Sequence, residues 1–78
     1  MNTRLTPEQV QLLKDELTVE LTEYLVDDFN LTIQEAIDML YTSDTFVRLQ
    51  NNATGLYYQS AGYVYSFLQN EILNARVA

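Results

Sequence analysis

Seventy-eight residues, eleven of them acidic against four basic, carry a net charge of −7 and contain neither cysteine nor histidine. Disulfides and thiolate ligands are therefore excluded, and His-dependent triads and the usual zinc, copper and iron sites are disfavoured, which leaves only an oxygen-ligand calcium or magnesium site open. The cations Arg4, Lys14, Arg48 and Arg76 are scattered, so nucleic acid and anionic membrane surfaces are disfavoured, and a basic protein partner suits the field.

One domain spanning 1–78 is expected, with residues 1–5 and 76–78 frayed. A chain of this length hides only about 60–65% of its unfolded surface, so self-association is the expected additional support. There is no internal repeat, linker, apolar h-region in residues 1–10 or membrane-length apolar run, so nothing predicts export or insertion and the cytoplasm is the expected compartment.

Leu5-Thr6-Pro7-Glu8-Gln9 is a helix start: Thr6 caps, Pro7 suits the first helical position, and Gln9 completes a capping box. The first helix should run to about Asp28, with Val10, Leu13, Leu17, Leu21, Tyr24 and Leu25 as its core stripe. Leu12, Val19 and Val26 form a second apolar line seven residues apart on nearly the opposite face. Two lines predict burial on both sides. Between them run Glu16, Glu20, Glu23 and Asp27, an acidic stripe without following basic i,i+4 partners. It is either a solvated face or a docking strip for a basic partner.

Asn30 is the expected left-handed cap, with Leu31 folding back, and Thr32 with Glu35 supplies a second capping box. The second helix, from Ile33 to about Thr42, should bury Ile33, Ala36, Ile37 and Leu40, with Met39 and Tyr41 flanking. Ser43 or Asp44 then caps a short third helix through Phe46, Val47, Leu49 and Gln50 that stops at Asn51-Asn52. Gly55 is the candidate for a positive φ. Leu56 to Gln59 reads as extended or irregular. Ser60 caps a last helix running to about Ala75, whose stripe is Val64, Phe67, Leu68 and Ile72. Glu71 projects onto that apolar face, where it either pairs with Arg48 in the interior or lies at the rim.

Thr54 to Leu68 holds four of the six tyrosines and both glycines. Tyr57, Tyr58, Tyr63 and Tyr65 cannot all face one core, because Tyr63 and Tyr65 flank Val64 on opposite sides. They either close the helix junctions with wet hydroxyls or form an interface. Catalysis finds little footing. Ser60 and Ser66 lack an activating Lys pattern, and Glu16, Glu20 and Glu23 are expected on a convex helix face without a pocket for acid/base work. No enzyme, cofactor or metal is expected.

Leu40-Tyr41-Thr42-Ser43-Asp44-Thr45-Phe46-x-x-Leu49, followed by Thr54-Gly55-Leu56-Tyr57-Tyr58-Gln59-Ser60-x-x-Tyr63-Val64-Tyr65-x-x-Leu68-x-x-Glu71, resembles a family of small bacterial helical domains of unknown function. The likeness spans roughly Leu17 to Glu71 and implies that Thr54 to Glu71 is the distinctive surface. It also implies, loosely, a place beside toxin-like or enzyme-like partners. Many members carry a histidine where this chain has Tyr57, so no role of that histidine carries over.

The expected fold is all-α: a compact bundle of about four helices, a long first helix with three shorter ones packed on it. The expected function is a protein–protein interaction module, accessory or antitoxin-like or homodimeric, acting through Leu12, Val19, Val26 and the acidic stripe and through the tyrosine segment. The alternatives are a small-ligand domain, with Tyr57, Tyr58, Tyr41 and the Arg48–Glu71 pair lining a cleft, and an acidic mimic of DNA.

Overall fold

Helix α1 (Pro7–Phe29) begins where the capping chemistry requires. The Thr6 hydroxyl accepts the Gln9 N–H at 3.1 Å, and the Gln9 side chain accepts the Thr6 N–H at 2.9 Å. These bonds occupy two of the donors that a helix start leaves open. In the computed structural model, which describes residues 4–77, α1 ends at Asn30 with φ 54 and ψ 46. The Asn30 and Leu31 N–H groups both turn back to the Val26 carbonyl. A left-handed residue reverses the chain at once, and α2 (Ile33–Tyr41) starts with the Thr32–Glu35 box at 3.1 and 2.9 Å.

Ser43 joins α2 to α3 (Asp44–Gln50) with one buried hydroxyl, which donates to the Leu40 carbonyl at 2.6 Å and accepts the Phe46 N–H at 3.0 Å. Two 3₁₀ turns follow, Asn52–Thr54 and Leu56–Tyr58, on either side of Gly55 at φ 70. The second replaces the extended segment expected there. Its N–H groups close i→i+3 bonds, Tyr58 to Gly55 at 3.1 Å and Gln59 to Leu56 at 3.0 Å, which lets Leu56 enter the core without a partner strand. Ser60 caps α4 (Ala61–Val77) through the Tyr63 N–H at 3.2 Å. That helix runs beyond Ala75, so 76 and 77 belong to it, while the expectation of fraying at 1–3 and 78 lies outside the described residues.

The fold is all-α, with no strand among the described residues. Leu17, Leu21 and Leu25 of α1 meet Ala36 and Leu40 of α2, Leu49 of α3 and Val64, Leu68 and Ile72 of α4 in one core. Val10 and Leu13, near the free end of α1, are only half-buried. Like them, Tyr24, Ile33 and the half-buried Ile37 were expected in the core and are not in it. Tyr24 lies on the surface with its ring stacked on Tyr65, centroids 4.8 Å apart, so it shields the core from outside. Ile33 is 67% exposed although it projects to nearly the same side of α2 as Leu40, because it stands two turns before it, at the first residue of the helix.

The short α3 is held at both ends by charges from other helices. The Glu71 carboxylate of α4 accepts the Asp44 N–H at 2.7 Å, the Thr45 N–H at 2.9 Å and the Thr45 hydroxyl at 2.8 Å. At the other end the buried Lys14 ammonium donates to the Gln50 carbonyl at 2.9 Å. An anion at the N-terminus and a cation at the C-terminus both complement the helix dipole. A seven-residue helix is too short to stand by itself. These two contacts tie α1, α3 and α4 together.

Candidate functional site

The second apolar line of α1 meets a second apolar line of α2. Ile33, Ile37 and Tyr41 recur every four residues and so stand on one side of α2, along the edge of the apolar face that Ala36 and Leu40 turn to the core. Opposite them on α1 are Val19, Thr22 and Val26. Between the two helices lies an open groove of about 880 Å³ lined by these residues, with Glu20, Glu23 and Asp27 also on its wall. Val19 is 60% exposed and Tyr41 56%, whereas Val26 is half-buried against the core. Large apolar side chains this exposed and this close together form a patch, which scattered single residues do not.

The electrostatics of the groove are one-sided. Glu20, Glu23 and Asp27 are exposed on α1, and among the described residues no basic one lines the groove. Glu16 continues the stripe toward the amino end but faces a second concavity, of about 580 Å³, together with Leu5, Leu13, Tyr57 and Tyr58. Among the described residues the carboxylates do not converge in a group able to hold a metal ion. Strung along one helix face, they present a negative field beside an apolar floor.

Residues singled out from the sequence are thus divided among several places. Val19, Val26, Glu20, Glu23 and Asp27 come together at the groove. Leu12 is 56% exposed but lies outside it. The tyrosine segment does not form one surface. Tyr57 and the exposed Tyr58 have ring centroids 4.4 Å apart at the second concavity, and Tyr63 meets the Phe67 ring edge-on at 5.2 Å. Tyr65 is a core residue, 7% exposed, whose hydroxyl donates to Asp28 Oδ2 at 2.7 Å. Burial first, then the Asp28 carboxylate, pushes its phenol well above the ordinary tyrosine value.

The carboxylate of Glu71 takes its hydrogen bonds from α3, and the Arg48 guanidinium lies 5.8 Å from the centroid of the Phe67 ring. Partial burial raises the Glu71 carboxyl. The three hydrogen bonds from Asp44 and Thr45, with the Arg48 charge behind them, outweigh that and hold it below its ordinary value. The expected pair is therefore a longer-range attraction inside a helix-capping arrangement. The cleft expected for a small ligand is not assembled either: Tyr41 lines one groove and Tyr57 with Tyr58 the other.

Two features escaped the sequence reading. Lys14 shares a face with Leu17, Leu21 and Leu25, at intervals of three, four and four residues. That projection was the available signal for its burial. Ile33, Ile37 and Tyr41 were legible as one line but not as a line left uncovered.

No family model, curated protein or solved structure matches the chain.

Proposed function

We propose that this chain is a protein–protein interaction module, an accessory or antitoxin-like protein rather than an enzyme, and that its binding face is the groove between α1 and α2. The observation that carries the reading is the exposure of Val19, Ile33 and Tyr41 on one face of a domain whose small core leaves them uncovered. Apolar side chains held in water gain from any complementary surface that excludes it, and a groove between two helices is a common seat for a third element. The second concavity, with Tyr57 and Tyr58 on its wall, is smaller, about 580 Å³, and equally open to solvent.

The test is the double variant Val19→Lys/Ile33→Lys. Residues that serve a partner and not the fold can be made polar with little consequence for the isolated chain. Helix content should be unchanged and the unfolding free energy should move by no more than about 0.5 kcal/mol, the usual range for exposed sites. A variant that unfolds, or loses several kcal/mol, would show that these side chains belong to this chain's own core and would remove the interaction face.

A further inference from the structure

We infer that the occupant of the α1–α2 groove is a basic amphipathic helix of another protein, which rests on the reading of that groove as the binding face. Shape argues for a helix. The floor runs from Val19 to Val26 on α1 and from Ile33 to Tyr41 on α2, which at 1.5 Å per residue is about 10–12 Å, two turns of a third helix. Ile33, Ile37 and Tyr41 stand at i, i+4 and i+8, the ridge that interlocks with the side chains of a crossing helix. A two-turn apolar stripe on a partner would cover both lines at once.

Charge argues for a basic partner and against a second copy. Glu20, Glu23 and Asp27 stand at the groove without a basic residue among its described lining. A helix with Lys or Arg flanking its apolar stripe would place cations against those carboxylates while its apolar face fills the floor. Two copies meeting through this face would bring the two acidic rims together, on chains that each carry −7. Two of the four cations are engaged elsewhere. Lys14 is buried against the Gln50 carbonyl and Arg48 lies over Phe67.

The experiment titrates the isotope-labelled chain with three synthetic 18-residue peptides and follows amide and methyl shifts. The first has leucine at helical spacing and lysine elsewhere, the second has the same residues in scrambled order, and the third has glutamate in place of lysine. The first peptide should bind with shifts centred on Val19, Ile33, Ile37 and Tyr41 and weaken as salt rises. The scrambled and acidic peptides should bind at least about tenfold more weakly. The triple variant Glu20→Gln/Glu23→Gln/Asp27→Asn leaves the floor intact, and should weaken the first peptide about tenfold and flatten its salt dependence.

Equal binding of the scrambled or acidic peptide would overturn the inference, as would shifts centred away from the groove. If no peptide binds while Val19→Lys/Ile33→Lys keeps its fold, the basic helix is wrong and the interaction reading stands. If that double variant unfolds, both fall.

Discussion

Replacing Glu71 with alanine removes the three hydrogen bonds that α4 gives to the start of α3, and leaves the Thr45 hydroxyl, on a residue only 1% exposed, without its acceptor. Hydrogen bonds to a charged group contribute about 1.5–3 kcal/mol, and a buried donor left unpaired costs a further desolvation penalty. The three share one carboxylate and do not add in full, so the expected loss is about 3 kcal/mol. For a domain of this length total stability is on the order of 4–12 kcal/mol, and the loss lowers the melting temperature by roughly 12–24 °C. Urea unfolding followed by far-ultraviolet circular dichroism measures it directly. The Asp44 and Thr45 amide resonances should move most.

The charge makes a second, pH-dependent signature. Because the Glu71 carboxyl sits below its ordinary value near 4.5, its ionised form is the one that the fold favours. The contribution is then fully present above the unfolded value and fades as pH falls through the lower folded one. Glu71→Gln keeps a carbonyl acceptor and cannot titrate. Its deficit against the parent should be constant from pH 7 to about 5 and should shrink below that. An alanine variant within 0.5 kcal/mol of the parent, on the order of an ordinary surface change, would refute this account of α3. So would a parent–glutamine gap that persists unchanged to pH 3.

Two further tests separate backbone from side-chain effects. Gly55 has φ 70, so Gly55→Ala should destabilise by about 1 kcal/mol although nothing lies within 4 Å of an added Cβ. Gly62, inside α4 with equally open surroundings, should instead gain about 0.5–1 kcal/mol as alanine; chemical denaturation of the two variants side by side checks the opposite signs. Tyr65→Phe keeps the stacked ring against Tyr24 and loses only the bond to Asp28. It should cost about 1 kcal/mol in urea unfolding; a variant as stable as the parent would mean that the bond is not formed in solution.

The local grammar of the fold was legible because caps and turns act over three or four residues. Thr6 with Gln9, Thr32 with Glu35, Asn30, Ser43, Ser60 and Gly55 all do in space what their neighbours in sequence imply. Contacts between distant residues were harder. Glu71 was recognisable as a carboxylate on an apolar face, but its partners are main-chain donors, which any residue type supplies and no pattern marks. Lys14 carried the same kind of signal on α1. The 3₁₀ turn at Leu56–Tyr58 is too short to have a period.

The groove was half legible for a similar reason. Periodicity identifies an apolar line, and an amphipathic helix normally turns its line inward. Which of two lines on α1 becomes the core, and how much of the apolar face of α2 is covered, depends on how many other elements are available. Here α3 and α4 cover one side only, and Val19, Ile33 and Tyr41 remain outside. The acidic stripe, ambiguous along the chain, acquires a direction once it stands beside an apolar floor. The tyrosines, close in sequence, are sent to separate places because alternate residues of α4 point to different faces.

The measurement that bears most directly on the groove is the solution mass, by light scattering over a hundredfold range of concentration at low and physiological salt. An uncovered, acid-rimmed groove predicts the 9.0 kDa monomer throughout, for the parent and for Val19→Lys/Ile33→Lys alike. A dimer that survives dilution in the parent and disappears in the double variant would contradict it, because the groove would then be filled by a second copy of the chain.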